Sequence, residues 1–221
     1  AQYREAGTAC QDQGREMNDQ RTPEWFAERA GKITASRIAD MLATTKTGES
    51  ASRANYRAQL VAERMTGQPA ESFNNAAMQW GTDTEPMARM AYELATQTMV
   101  EEVGFVTHPF TDRAGASPDG LVGDDGLFEA KCPNTATHIS YLLAGEAPKK
   151  YIPQMAWQCA CTGRKWCDFV SFDPRMEKPD QLFLIRYTPT PEYLSELLKE
   201  VLIFDKEVES LIEQIIARRV K

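Results

Sequence analysis

Histidine is scarce in this chain: there are two, His108 and His138, among 221 residues. That weighs against a His-rich zinc centre, an HNH-type nuclease and most schemes in which an imidazole shuttles the proton. Cysteine is sparse as well. The five residues Cys10, Cys132, Cys159, Cys161 and Cys167 are an odd number and contain no CxxC pair. They read as reduced thiols in a cytosol-like compartment rather than as a disulfide framework. No apolar run approaches the roughly 18 residues of a membrane span. The opening stretch AQYREAGTACQDQGREMNDQ is polar and lacks the apolar segment of a secretory leader, and the missing initiator methionine suggests processing or a trimmed chain. Neither G-x(4)-G-K-[ST] nor G-x-G-x-x-G occurs, so the glycine-rich phosphate cradles of many nucleotide-using enzymes are missing.

Hydrophobic residues make up 42% of the chain, enough to bury a core, and the length suits a single domain over residues 1–221. The net charge of -7 argues against a protein that coats nucleic acid by bulk charge. It does not exclude an enzyme with a small basic channel and a carboxylate-rich metal centre.

Residues 1–21 read as a loose polar arm. In TPEWFAERAGKITAS, Thr22 is placed to cap a short helix with Pro23 at its first position, and Gly31 to stop it. Thr34 or Ser36 would cap the next helix, SRIADMLA. SRANYRAQLVAERMTG predicts an amphipathic helix ending at Gly67. A further helix over NNAAMQWGTDTEPMARMAYELATQ is expected to be interrupted near Gly81, and it gathers Met87, Met90, Ala91 and Leu94 on one face. The pattern then changes to strands: TMVEEVGFVTHP, AGASPDGLVG and GLFEAKC around a DD-G turn, and later KWCDFVSFDP and QLFLIRYTP. Helices are expected over about 135–143 and from near Pro153 to Gly163. Residues 189–221 predict an amphipathic helix with Leu194, Leu197, Leu198, Val201 and Leu202 on one stripe. Helices flanking a run of strands make this an α/β fold with a central mixed β-sheet.

The chemistry concentrates in SPDGLVGDDGLFEAKCP, residues 117 to 133. In a strand alternate residues share a face, so Glu129 and Lys131 point one way while Phe128, Ala130 and Cys132 point the other. Asp119 arrives from the neighbouring strand. Two converging carboxylates suit Mg²⁺, a hard cation that prefers oxygen ligands and retains waters, and the Ala130 carbonyl could add a ligand. Lys131 could orient or deprotonate a water, or stabilise charge developing on a phosphate. That set suits phosphodiester hydrolysis. The bare D-x(n)-E-x-K pattern nevertheless arises by chance about 0.4 times in a chain this long, and its plain alternative is a hairpin with a solvated charged face.

These residues resemble the phage lambda-type exonucleases, the viral recombination branch of the PD-(D/E)XK nucleases, whose core reads S-P-D-G, a short gap, then E-x-K-C-P. Four further segments match in order: EWFAERAGKITAS, MQWGTDTEPMAR, YIPQMAWQCACTG and FVSFDPRM, so that the similarity covers about residues 22 to 176. The resemblance implies a PD-(D/E)XK restriction-endonuclease-like core. It also implies a Mg²⁺-dependent exonuclease, with Mn²⁺ as a substitute, that digests one strand of duplex DNA from the 5′ end to mononucleotides. It implies a ring-shaped homotrimer around DNA, work with a single-strand annealing protein, no membrane association, and a phage or prophage origin in a bacterial cytoplasm. By matching position, Asp119, Glu129 and Ala130 become metal ligands, Lys131 the catalytic lysine and Glu85 a further acidic residue reaching a metal. Gln154 matches the glutamine after the core, with Gln158 competing for that place; the family's second glutamine position holds Ala156 here. Arg29, Ser36 and Ser117 match residues binding the 5′ phosphate, Met78 an apolar wedge at the duplex end, and Lys46 a basic DNA contact. A PD-(D/E)XK endonuclease or repair nuclease and a catalytically silent DNA-binding ring remain the alternatives. Basic residues inside such a ring and acidic ones outside would reconcile the net charge with DNA binding.

Overall fold

The structure, a computed structural model, describes residues 20–70 and 75–220. The expected polar arm lies almost wholly outside the described residues. In chain order the elements are α1 (Pro23–Arg29), β1 (Ile33–Thr34), a 3-10 turn (Ala35–Arg37), α2 (Ile38–Leu42), β2 (Thr44–Thr45), β3 (Gly48–Glu49), α3 (Ala51–Thr66), α4 (Ala76–Thr96), β4 (Val100–Glu101), β5 (Val106–Thr107), β6 (Ala114–Ala116), β7 (Gly120–Val122) and β8 (Gly126–Lys131). They continue with α5 (Thr135–Ala144), a 3-10 turn (Lys149–Tyr151), α6 (Ile152–Thr162), β9 (Trp166–Phe172), β10 (Leu182–Tyr187), α7 (Pro191–Ala217) and a last 3-10 turn (Arg218–Val220).

The helix starts follow from side chains that accept otherwise orphaned backbone N–H groups. Thr22, Ser50, Asn75, Asn134 and Thr190 each accept from the residue three positions on. Ser36 does not cap a helix. It lies inside the 3-10 turn, α2 begins only at Ile38, and the Thr34 hydroxyl makes no capping bond either. The interruption expected at Gly81 is absent: α4 runs unbroken through both Gly81 and Pro86. Its face of Met87, Met90 and Leu94 turns to solvent, while Thr84, Ala88 and Tyr92 face inward. On α7 the buried stripe is Leu197, Val201, Phe204 and Val208; Leu202 is exposed.

Five strands form the main sheet in the order β10-β9-β8-β7-β4. All neighbours are antiparallel except β8 and β9, which run parallel. A parallel pair needs a crossover, and α5 and α6 provide it. The sheet is therefore covered on both faces. Phe128, Ala130 and Val170 pack with Ala88 and Tyr92 of α4; Leu127, Cys167 and Phe169 pack with Tyr141 of α5 and Met155 and Cys159 of α6. Gly126 opens β8 because a Cβ there would sit 2.0 Å from the Trp166 ring. A smaller sheet, β1-β6-β5, joins α2, α3, α6 and α7 around Ile33, Ile38, Tyr56, Leu60, Trp157 and Phe204.

Both histidines serve packing. His138 is buried between the Ser171 hydroxyl (2.7 Å) and the Asp180 carbonyl (2.8 Å), and His108 stacks on Trp157 with ring centroids 4.7 Å apart. No helix among the described residues is long and apolar enough to cross a membrane.

Phe204 is fully buried and stacks on Tyr56 at the junction of α3 and α7. Phe204→Ala is expected to cost about 3–5 kcal/mol, the range for emptying an aromatic core site, read as a lowered denaturant midpoint with the slope unchanged.

Candidate active site

The β7–β8 hairpin brings its charges together as the alternation requires. Asp119 stands just before β7, and its Oδ2 accepts the Ala130 N–H at 2.8 Å, which pins the carboxylate against the middle of β8. Glu129 points from β8 toward α6 and is fully buried. Three donors surround it. Lys131 Nζ and Gln154 Nε2 (2.5 Å) both donate to Oε1, and Gln158 Nε2 donates to Oε2 at 2.5 Å. Gln154 and Gln158 lie four residues apart on α6 and so share a face. Both therefore serve the carboxylate: Gln154 lines the open cleft, and Gln158 is fully buried behind it.

A cleft of about 930 Å³ gathers nearly every residue singled out in the sequence: Arg29, Ser36, Met78, Glu85, Ser117, Asp119, Glu129, Ala130, Lys131 and Gln154 all line it. Lys46 does not. It sits in the exposed turn between β2 and β3, away from the cleft. Glu85 enters from α4, and its Oε2 accepts from Arg21 Nη2 at 2.6 Å. Arg21, Tyr151 and Cys132 also line the cleft, and none of them stands out in the sequence as a site residue. Arg21 belongs to no motif, and only the backbone turn before α1 aims it at Glu85.

The same cleft holds a cation without an acid partner among the described residues. Arg29 Nη1 donates to Ser117 Oγ at 2.9 Å, and Trp25 Nε1 donates to the same oxygen at 3.0 Å. The Arg29 guanidinium lies 3.9 Å from the Trp25 ring centroid. No salt bridge to a carboxylate holds it among the described residues. Burial works against its charge and brings its pKa down to about 10, with the Tyr56 and Glu63 sites opposing; it stays cationic at neutral pH. A half-buried guanidinium held by a hydroxyl and a π face offers a planar donor fork to a multiply accepting anion such as a phosphate.

Electrostatics favour a cation beside Asp119. Burial, then the Glu129 charge, raise its carboxyl well above the usual aspartate value; Lys131 opposes and Glu85 reinforces the rise. For Lys131 burial lowers the pKa, but the Glu129 and Asp119 carboxylates and the Glu129 hydrogen bond outweigh it and hold the ammonium form. The Cys132 thiol is pushed up to about 12, first by burial and then by Glu85 and Asp119, so it is no nucleophile at neutral pH. Among the described residues no three His, Cys, Asp or Glu side chains converge into a metal cluster. What the cleft does gather is the Asp119 and Glu129 carboxylates beside the Ala130 backbone, all sources of hard oxygen donors, with the Glu129 charge raising the Asp119 pKa. That donor set fits Mg²⁺ with several retained waters better than a protein cage; Glu85 lines the same cleft and is tied to Arg21.

With this geometry in view, comparison with known proteins is direct. Residues 24–165 match the YqaJ-like viral recombinase domain. The chain belongs to that family, which makes it a nuclease and bears out the resemblance read from its motifs and the α/β core expected with them. It is similar to the crystal structure of an alkaline exonuclease from Laribacter hongkongensis, at 48% identity over 90% of this chain and 98% of that one, with a TM-score of 0.84. A structure of the same exonuclease in complex with dAMP matches equally well. A phage-related exonuclease from Haemophilus somnus shares the fold at 13% identity, with a TM-score of 0.65, over 83% of this chain and 96% of that one. No match was found among curated proteins.

Because the folded Asp119 carboxyl binds its proton more tightly than the ordinary value of 3.8, its stabilising contribution is full below that value and is lost as pH rises through the raised folded value. Asp119→Asn removes that loss. In chelating buffer the variant is expected to resist denaturant better than the wild type near about pH 8, with the gap closing toward about pH 4; equal midpoints at both would contradict the electrostatic assignment.

Proposed function

We propose that the protein is a Mg²⁺-dependent exonuclease that digests one strand of linear double-stranded DNA from the 5′ end, releases mononucleotides and leaves a 3′ single strand for annealing-type recombination. The observation that carries this reading is a cleft that holds both an acid–lysine centre and an arginine bonded to a hydroxyl, with no carboxylate partner for that arginine among the described residues. The first suits cleavage of a phosphodiester and the second suits capture of a terminal phosphate. The relative's complex with dAMP, a nucleoside monophosphate, agrees with such a product.

In this reading Asp119, Glu129 and the Ala130 carbonyl hold the metal, with Glu85 as a further carboxylate. A bound Mg²⁺ supplies Lewis acidity at the scissile phosphate, and Mn²⁺ substitutes for it. Gln154 and Gln158 fix the Glu129 carboxylate so that it cannot rotate away. Lys131 presents its ammonium to charge developing on the phosphate. Arg29, bonded to Ser117 and sharing the cleft with Ser36, anchors the 5′ phosphate and so sets the register of cleavage at one nucleotide. Met78, exposed on the first turn of α4 at the cleft rim, is placed to wedge against the terminal base pair. The ring-shaped homotrimer and the single-strand annealing protein belong to the same reading and rest on the family resemblance, as does a bacterial cytoplasmic setting. Lys46 stands outside the cleft and retains only the role of a distant DNA contact.

The deciding experiment is digestion, with Mg²⁺, of end-labelled linear duplex carrying or lacking a 5′ phosphate, beside a covalently closed circle. Mononucleotide release from the linear DNA alone is expected, with Asp119→Ala abolishing it; cutting of the closed circle would move the assignment to an endonuclease. Arg29→Ala should lose about 10- to 100-fold of its rate on 5′-phosphorylated ends, the worth of a charge-assisted hydrogen bond. It should change little on 5′-hydroxyl ends, so that the wild-type preference disappears.

A further inference from the structure

The residue before the α1 cap is built in an unusual way. Arg21 has φ 72°, in the left-handed region that residues with a Cβ rarely adopt. Its neighbours are fixed on both sides. Gln20 Nε2 donates to the Val103 carbonyl (2.8 Å) and to the Pro118 carbonyl (2.7 Å), one residue before Asp119. Thr22 caps α1. The chain is thereby bent at Arg21, and the bend carries its guanidinium into the cleft, where Nη2 meets Glu85 Oε2 at 2.6 Å. A backbone outlier kept at a cleft invites a functional explanation.

Charge supplies one. Among the described residues the cleft holds three carboxylates, Glu85, Asp119 and Glu129, and three cations, Arg21, Arg29 and Lys131. Lys131 is committed to Glu129 and Arg29 to Ser117, so the cation on Glu85 is Arg21. The two partners differ in freedom: the Glu85 side chain is 17% exposed, whereas that of Arg21 is 47% exposed. The pair is therefore weak and exchangeable, since a half-exposed guanidinium gives up little by moving to another anion.

We propose that Arg21 is a positioning residue with two alternating partners: it neutralises Glu85 in the metal-free cleft, and it transfers to a backbone phosphate of the DNA when Glu85 turns to a divalent cation. The substrate then replaces the carboxylate that the metal has claimed, and the fork of the guanidinium suits two phosphate oxygens. This rests on the nuclease reading above and adds to it a coupling between metal entry and DNA grip.

The test uses Arg21→Gly, because glycine adopts a φ of 72° without strain and the bend survives while the side chain is lost, together with Arg21→Lys. Ca²⁺ binding is measured by calorimetry without DNA. Binding of a 5′-phosphorylated duplex is measured in Ca²⁺ across a salt series. Without DNA, Arg21→Gly should bind Ca²⁺ roughly two- to fivefold more tightly, the range for losing a partly exposed competing ion pair. Its duplex affinity should fall about tenfold, with the salt dependence shallower by about one counterion, and Arg21→Lys should recover part of that affinity. Unchanged Ca²⁺ binding or unchanged duplex binding in Arg21→Gly, against a wild type that shows both, overturns the exchange and leaves the nuclease reading standing. A wild type that binds neither Ca²⁺ nor duplex overturns both.

Discussion

Everything at the candidate site depends on one buried carboxylate. Glu129 sits in the middle strand of the sheet with no exposure at all, a placement that costs several kcal/mol unless the charge is met by donors. Here an ammonium and two primary amides meet it. The amides come from α6, and α6 lies over this face of the sheet because β8 and β9 are parallel and must be joined by a crossover. The parallel pair, the crossover helix and the two glutamines are therefore one arrangement. Removing any member would leave a buried charge short of a donor.

The same sheet contains a contrasting case. Asp168 on β9 is also buried, but it faces α4, where Tyr92 donates at 2.7 Å and Arg186 closes a bidentate pair at 2.8 and 2.9 Å. That carboxylate is saturated by strong partners and has no opening onto the cleft. Glu129 and Asp119 share a cleft in which negative charge outruns the hydrogen bonds offered to it. Two acids one strand apart thus take different parts, one structural and one open to chemistry, because of what covers each face.

Much of this was legible in the sequence. The β7–β8 hairpin could be read from strand alternation and a turn signal, and the parity of Glu129 and Lys131 follows from the pleat alone. The helix cap at Thr22 and the stops at Gly67 and Gly163 are short-range effects that sequence spells out. Position in the cleft was harder. Arg29, Ser36, Glu85 and Met78 came only through family motifs, since nothing local tells a cleft-lining carboxylate on α4 from a solvated one. Ser36 looked like a cap because serine before an apolar helix usually is one, yet the backbone takes a 3-10 turn first. The choice between Gln154 and Gln158 could not be made from spacing that suits both, and the structure uses both. The exposed Met87, Met90 and Leu94 show the limit of periodicity, which finds an apolar face without saying what it meets. Arg21 was invisible, because its aim is set by a backbone turn and by hydrogen bonds to residues roughly 80 to 100 positions away.

The crossover also bears on how the chain acquires its shape. Asp119, Glu129 and Lys131 fall within thirteen consecutive residues, so the hairpin that carries them closes early and locally. The amides that satisfy Glu129 arrive 25 and 29 residues later, on a helix that must form and dock. Until then the hairpin's inner face holds a bare charge and favours water. Drying of this half of the sheet must therefore wait for α6, which makes a catalytic-looking motif into a checkpoint in assembly: contacts of longer sequence separation, formed late, decide when the centre of the molecule can close.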